Sequence, residues 1–283
     1  MEAMGEEYAQ RLGVGEMGPT AAAELRALDP EAIFAALGET IQGASLMRPS
    51  VDGWLYPRDV YTTYTRGEQH RVPLLLGYNA DEDSTIGAAM PLPGTRAAYE
   101  QALQQMWGES ATAILDSYPA DSDGAAGPVF AKHMVDHVFG WQMRTWARLA
   151  SETGGQPVFL YHFRRVPAGP RAEQYGAYHA AEILYAFNNI PSEEARSRFE
   201  VQPVDADLRL ADTMSSYWTN FARTGDPNAE GLPSWPRYAA ATDEALVLDA
   251  DIRVERAIND ERIDLFDQHY ASVRGSGAAS TSR

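Results

Sequence analysis

Two short apolar runs, separated by a long helical pattern, constrain the fold of this chain more than any other feature. Residues 72–77 (VPLLLG) and 157–163 (PVFLYHF) are continuous apolar stretches preceded by or containing Pro or Gly. Such runs are typical of strands buried on both faces, as in parallel sheets. Parallel neighbours need a crossover connection, which is usually helical. The two runs therefore predict an α/β fold with a mostly parallel central sheet and flanking helices.

Helical spacing of apolar residues fills much of the remaining sequence. Helices are predicted at residues 20–28, 30–37, 95–117, 128–152 and 207–223. The expected N-caps are Thr20 and Asp29, and the helices are expected to end at Gly38, Gly154 and Gly225. Residues 245–255 (ALVLDADIRVE) predict a strand or a hairpin. We expect one domain over residues 1–273 and a flexible polar tail at 274–283.

Charge and composition disfavour several classes of partner. The net charge of −17 disfavours nucleic acids and anionic membrane surfaces, because both are bound mainly through Lys and Arg. The chain has no Cys, so disulfides and thiolate metal sites are excluded. The first residues are acidic where a signal peptide would be basic, and no apolar run reaches the ~18 residues of a membrane span. The chain as given is therefore predicted to be soluble, and its compartment stays open.

An acidic turn follows the first predicted strand. Asp81, Glu82 and Asp83 come directly after LLLGYNA. Active-site loops of parallel sheets lie at the carboxyl ends of the strands. The turn is thus either a solvated surface loop or the place where one carboxylate points inward and orients a histidine.

A histidine follows the second predicted strand in EQYGAYHAAEILYAF. His179 lies after a Gly-containing loop, and Glu182 lies one helical turn further on. The histidine is either structural or a general base at the mouth of the sheet. The H-x-x-E spacing lacks a second histidine on the same face, and His162 falls inside a strand pattern, so a metal site is disfavoured. In α/β-hydrolases the catalytic acid precedes the histidine in the chain, as Glu82 precedes His179.

Six segments in order resemble the type-B carboxylesterase family. They are RPSVDGWLYP, VPLLLGYNADEDS, PVFLYHF, GAYHAAEILYAF, SYWTNFARTGDPN and WPRY. The resemblance covers about residues 10 to 255. It implies the C-terminal portion of an α/β-hydrolase fold, with the N-terminal part of the sheet missing, and hydrolysis of small carboxylic esters without a metal or organic cofactor.

The resemblance assigns roles to three residues. Glu82 matches the acid of a Ser-His-Glu triad, His179 matches its general base, and Glu182 matches an acidic residue behind the histidine. Asp83 departs from the family, which often has Gly or Ser at this place, so it either disturbs the acid or faces water. The nucleophilic serine, its elbow and the oxyanion loop would precede Met1, which implies a missing N-terminal half.

WGESAT (107–112) is the stretch of this chain that most resembles a serine nucleophile motif. Ser110 nevertheless fails as the nucleophile, because Thr112 replaces the second Gly and helical spacing precedes the serine where a strand is required. Its position after Glu82 is also the wrong chain order. A role for Ser110 would need another acid, such as Asp116 or Asp136.

Residues 45–56, near the N-terminus, contain further candidates whose roles the sequence does not decide. Ser45 and Ser50 lack flanking glycines. Met47, Trp54 and Tyr56 are expected either to line a substrate pocket or to be core residues; the sequence favours neither.

Three hypotheses follow for the protein. It is part of an ester hydrolase, a non-catalytic binding protein or inactive fragment of the same fold, or one half of a split enzyme whose partner supplies the serine. A fragment would expose a sheet edge and an apolar face, so it should bind hydrophobic dyes and aggregate.

Overall fold

The computed structural model describes residues 2–15, 18–37, 49–87, 90–190, 192–193, 197, 200–256 and 260–280. The chain divides into two compact units, Met1–Thr63 and Tyr64–Arg283. The prediction of one domain over residues 1–273 stays a prediction.

Among its described residues, the N-terminal unit contains three helices. They are α1 (Glu2–Arg11), α2 (Ala21–Arg26) and α3 (Pro30–Leu37), and a fourth helix, α4 (Val60–Thr65), crosses the boundary between the units. Ala9, Val14 and Ala21 form the small core of this unit. Asp29 caps α3 as predicted, since its carboxylate accepts a hydrogen bond from the Glu31 amide at 2.9 Å. Gly38, the predicted end of α3, lies outside the described residues.

The larger unit is built on a four-stranded sheet with the order β1-β2-β3-β4. The strands are β1 (Leu74–Asn79), β2 (Val158–Phe163), β3 (Glu244–Leu248) and β4 (Arg253–Arg256). Strands β1, β2 and β3 are parallel, and β4 runs antiparallel to β3. The mostly parallel sheet and the terminal hairpin are therefore confirmed.

Helices surround this sheet. In chain order they are α5 (Asp83–Ile86), α6 (Arg96–Trp107), α7 (Ala111–Ser117), α8 (Asp123–Val135), α9 (Gln142–Thr153), α10 (Ala172–Tyr175), α11 (Ala181–Ala186), α12 (Asp205–Thr224) and α13 (Asp260–Ser280). A π-helical segment, Asp136–Trp141, joins α8 to α9.

Strand β2 is buried along its whole length, because helices cover both faces of the sheet. Phe159 and Phe163 belong to a core that includes Met214 of α12. Val158 and Leu160 belong to a second core with Ala147 and Ala150 of α9. This layering explains the continuous apolar sequence that predicted the strand.

Two predicted helices differ from those in the structure. The segment predicted at 95–117 is interrupted after Trp107, where Gly108 adopts a φ of +52° and a 3₁₀ turn, Gly108–Ser110, follows. The segment predicted at 128–152 begins earlier, because the Ser122 hydroxyl caps α8 by accepting a hydrogen bond from the Ala125 amide. Pro128 therefore lies inside a helix and does not start one.

The last helix, α13, is absent from the prediction. Its Ile263 and Phe266 are buried in a third core with Tyr99, Leu103 and Trp107 of α6. Helix α13 continues to Ser280, and the flexible tail predicted at 274–283 stays a prediction.

Candidate active site

The turn after β1 and the loop before α11 lie side by side. Asp81 and Tyr178 form a parallel β-bridge. The Asp81 amide donates to the Ala177 carbonyl at 3.2 Å, and the Asp81 carboxylate accepts from the Ala177 amide at 2.8 Å. Each loop follows directly from this bridge, so residues 82 and 179 are held at the same edge of the sheet.

The structure brings the two predicted site residues into direct contact. The Glu82 carboxylate (Oε2) lies 2.6 Å from Nδ1 of His179. Its other oxygen accepts a hydrogen bond from the Asn79 amide at 2.9 Å. Both carboxylate oxygens therefore have partners, and Nδ1 is the imidazole nitrogen that contacts Glu82.

Glu82 and His179 differ in their exposure to solvent. The side chain of Glu82 is 6% exposed, and that of His179 is 45% exposed. Burial raises the pKa of Glu82 above its ordinary value; the hydrogen bonds from the Asn79 amide and from His179 act in the opposite direction. A buried carboxylate behind a half-exposed imidazole is the geometry in which an acid orients a general base.

Asn79, the last residue of β1, connects this strand to the loop that carries His179. Its side-chain amide donates to the Tyr178 carbonyl at 2.8 Å and to the Glu182 carboxylate at 2.5 Å. Glu182, predicted to lie behind the histidine, thus acts on the loop through Asn79. Asn79 belongs to the motif that predicts Glu82, but the sequence does not indicate the hydrogen-bond partners of its side chain.

The backbone next to His179 adopts an uncommon conformation. Ala180, the N-cap of α11, has a φ of +71°, in the left-handed region that non-glycine residues rarely occupy. Gly176, at the start of the same loop, has a φ of +60°, and a Cβ there would overlap the Asp81 carboxylate. These two residues set the path that carries His179 to Glu82.

The third carboxylate of the turn, Asp83, lines a cleft. Asp81, Asp83 and Glu173 line a cleft of about 410 Å³ together with Tyr175. Asp83 is half-buried, and burial raises its pKa, although Lys132 counteracts the rise.

Ser110 has a different histidine as its partner. Its hydroxyl lies 3.0 Å from Nδ1 of His269 in α13, whose ring packs against Trp107. Asp136, one acid considered for it, pairs with Lys132 at 2.9 Å and accepts from the Tyr118 hydroxyl at 3.1 Å. Asp116, the other, is exposed. These contacts agree with the exclusion of Ser110 from the predicted site.

The remaining candidates do not join the site. His162 is buried and stacks on Tyr78 with ring centroids 4.5 Å apart, and burial lowers its pKa to about 3. Trp54 is 88% exposed, so it is not a core residue of this chain. Tyr56 is 38% exposed and Ser50 is exposed. Ser45 and Met47 lie outside the described residues.

The described residues contain neither a metal-binding cluster nor a membrane-spanning helix. Nowhere in the described ranges do three His, Asp or Glu side chains come together in an arrangement that could hold a metal ion. Among the helices described, none combines the length and apolar character needed to cross a membrane.

Comparison with known proteins gives one consistent family. A family model described as "Carboxylesterase family" matches residues 2–266. The para-nitrobenzyl esterase of Bacillus subtilis (strain 168) is 26% identical over 243 residues, which cover 86% of this chain and 45% of that relative. The fumonisin B1 esterase of Sphingopyxis macrogoltabida is 30% identical over 196 residues, covering 68% of this chain and 35% of the relative.

The fold is similar to that of a solved structure titled "PNB esterase". The TM-score is 0.73 at 23% identity, with 93% of this chain and 53% of that chain covered. This likeness confirms the predicted α/β-hydrolase fold class. The chain spans about half the length of that structure, and 45% or less of the two relatives just described.

Proposed function

Since the chain belongs to the carboxylesterase family, we propose that Glu82 and His179 are the acid and the general base of a serine ester hydrolase. The observation that carries the proposal is the 2.6 Å contact between the Glu82 carboxylate and Nδ1 of His179. A carboxylate in this place fixes the tautomer and stabilises the imidazolium that forms during the reaction.

The chemistry of each step follows from this pair. Nε2 of His179 removes the proton of a serine hydroxyl as the serine oxygen attacks the ester carbonyl carbon. The imidazolium then gives that proton to the departing alkoxide as the acyl–oxygen bond breaks, leaving an acyl-serine. Water, deprotonated by the same nitrogen, then attacks the acyl carbon. The bond to the serine oxygen breaks, the imidazolium returns the proton to that oxygen, and the carboxylic acid leaves. The buried Glu82 remains ionised throughout.

We place the serine and the oxyanion donors on polypeptide outside residues 1–283. Two observations support this. The chain matches only 45% of the Bacillus subtilis relative's length, and the hydroxyl of Ser110 contacts His269. The split enzyme and the longer single chain are both forms of this proposal, since either brings a serine to His179.

The substrate class is small carboxylic esters. The names of the relatives support this class: one is a para-nitrobenzyl esterase and another a fumonisin B1 esterase. The side chain of His179 is 45% exposed, so part of it is open to a serine and an ester.

Labelling with a fluorophosphonate, followed by peptide mass spectrometry, tests the proposal. The chain is labelled alone and in an extract of the cells that naturally produce it. The expected adduct is on a serine outside residues 1–283, on continuous or co-purifying polypeptide. It should be lost in His179→Ala and Glu82→Gln and kept in His70→Ala, a matched change of an exposed histidine.

Two results would contradict the proposal. One is an adduct on Ser110 that persists in His179→Ala. The other is the absence of any adduct in the extract when circular dichroism shows the chain to be folded, which would favour the non-catalytic binding protein of the same fold.

A further inference from the structure

A π-helical segment interrupts an otherwise continuous helix beside the candidate site. Residues Asp136–Trp141 form it, between α8 and α9. The π-helix is rare, and single π turns within α-helices are frequent at functional sites. The segment contains no residue to which the proposed mechanism gives a role.

Contacts within the larger unit fix both ends of this segment. At its start, the buried Asp136 pairs with Lys132 at 2.9 Å. At its end, the Trp141 indole donates to Asp267 of α13 at 2.9 Å. Lys132 also donates to the Ala80 carbonyl at 3.1 Å, in the turn that leads to Glu82.

The middle of the segment lies tightly against α13 and in ordinary contact with β1. A Cβ at Gly140 would lie 2.9 Å from Cδ1 of Ile263 and 3.7 Å from the Tyr78 ring. Tyr78 precedes Asn79 at the end of β1, so the segment is held close to the strand that carries the acidic turn.

This arrangement directs Phe139 at the imidazole of His179. The two ring centroids are 5.5 Å apart, and the ring planes are inclined by 45°. The distance lies in the range of favourable aromatic contacts. Because the side chain of His179 is 45% exposed, protein contacts cover only the remaining part of it, and Phe139 supplies one of them.

We propose that Phe139 is a positioning residue for His179. Its ring packs against the imidazole and limits its rotation, so that Nδ1 stays on Glu82 and Nε2 keeps one direction. The π turn sets the angular position of Phe139 on the helix surface, and the contacts of Asp136, Gly140 and Trp141 hold that turn in place. This inference rests on the proposed function of His179, but its first test does not require catalysis.

Nuclear magnetic resonance of the chain itself provides that test. In the wild-type chain we expect nuclear Overhauser effects between the Phe139 ring protons and the His179 imidazole protons. We also expect a downfield Nδ1 proton of His179 in its short hydrogen bond to Glu82. In Phe139→Ala this proton should broaden or disappear, in Phe139→Leu it should be largely retained, and in the neighbouring control Val138→Ala it should be unchanged.

Activity in the assembly that carries the serine gives a second measurement. Phe139→Ala should lower kcat about 10- to 100-fold, because a small misplacement of a catalytic group has effects of this order. KM should stay within about twofold, and Phe139→Leu should recover most of the loss.

Several results would overturn the inference. An unchanged Nδ1 proton in a folded Phe139→Ala chain would do so. If that variant does not fold, the absence of the wild-type Overhauser effects decides against the inference. A rise in KM with unchanged kcat would also decide against it, because Phe139 would then contact the substrate without orienting His179. Since the resonance measurements need no turnover, a failure of the proposed function would remain distinguishable.

Discussion

The side-chain amide of Asn79 donates a 2.5 Å hydrogen bond to the carboxylate of Glu182, and this contact joins β1 to the helix that follows His179. The same amide donates to the Tyr178 carbonyl. Both of its protons are therefore used, and each bond ties the strand bearing the acidic turn to the histidine loop.

Replacing Asn79 by Asp should destabilise this junction. The new carboxylate would face the Glu182 carboxylate and the Tyr178 carbonyl, and it has no proton to donate to either. We expect a loss of about 3 kcal/mol in the free energy of unfolding, because a buried hydrogen bond to a charged group is removed and a repulsion is added. Urea unfolding at pH 7 measures this loss, and the exposed Asn189→Asp should stay within about 0.5 kcal/mol of wild type.

Glu82→Gln should remove a loss of stability that the wild type undergoes as pH rises to neutral. It also removes the proposed catalytic acid. Burial raises the pKa of Glu82, so the folded chain holds this proton more tightly than the unfolded chain does. Stability of the wild type then falls as pH rises through the interval between the unfolded and folded pKa values. The melting temperature of Glu82→Gln relative to wild type should consequently be higher at pH 7 than at pH 4.

Scanning calorimetry at the two pH values measures this difference. The exposed Glu152→Gln is the matched control and should stay within about 0.5 kcal/mol of wild type at both pH values. A Glu82→Gln chain that loses stability relative to wild type as pH rises from 4 to 7 would contradict the prediction.

Asp207→Asn should be among the most damaging changes in this chain. Asp207 is fully buried, accepts from Arg165 at 2.7 Å and from the Tyr185 hydroxyl at 2.8 Å, and caps α12 through the Val204 amide. Burial alone would raise its pKa, but these hydrogen bonds hold the pKa below the usual value. Removing one partner of a buried ion pair costs about 3–5 kcal/mol.

The effect of Asp207→Asn should also depend on pH. Because the pKa of Asp207 is lowered, its carboxylate stabilises the folded state at pH 7. This stabilisation is lost as pH falls below the ordinary Asp pKa of 3.8. Urea midpoints of wild type and variant should converge on acidification. Asp205→Asn, an exposed change in the same helix turn, should cost no more than about 1 kcal/mol; equal losses at the two positions would refute the argument.

Gly77→Ala should prevent normal pairing of β1 with β2. A Cβ at residue 77 would overlap the carbonyl oxygen and ring of Tyr161, its partner in the sheet register. We expect a loss of about 3 kcal/mol, seen as a lower urea midpoint. The same change at Gly124, exposed in the first turn of α8, should instead stabilise by about 0.5–1 kcal/mol. A neutral Gly77→Ala would mean that the two strands do not approach this closely.

The sequence predicts those parts of the fold that depend on local pattern. The sequence predicts the buried strands because β2 is apolar at nearly every position, and it predicts Glu82 and His179 as site residues from their positions after strands and from the family resemblance. The sequence does not predict the π turn. The turn is accompanied by the packing of Gly140 near Ile263 and Tyr78, and the spacing of apolar residues does not indicate such a tertiary contact. Phe139 was therefore not predicted as a neighbour of His179. The helix from Asp260 was missed although its Ile263 and Phe266 have helical spacing.

The contact between Glu82 and His179 spans 97 residues of chain. The segment between them contains helices α5 to α10 and strand β2. The parallel pairing of β1 with β2 carries an entropic cost that must be met before the two side chains can meet. Local folding of either loop cannot create the pair. A chain in which β1 and β2 have not yet paired therefore lacks the contact between Glu82 and His179, and the appearance of this contact reports that this long-range pairing has formed.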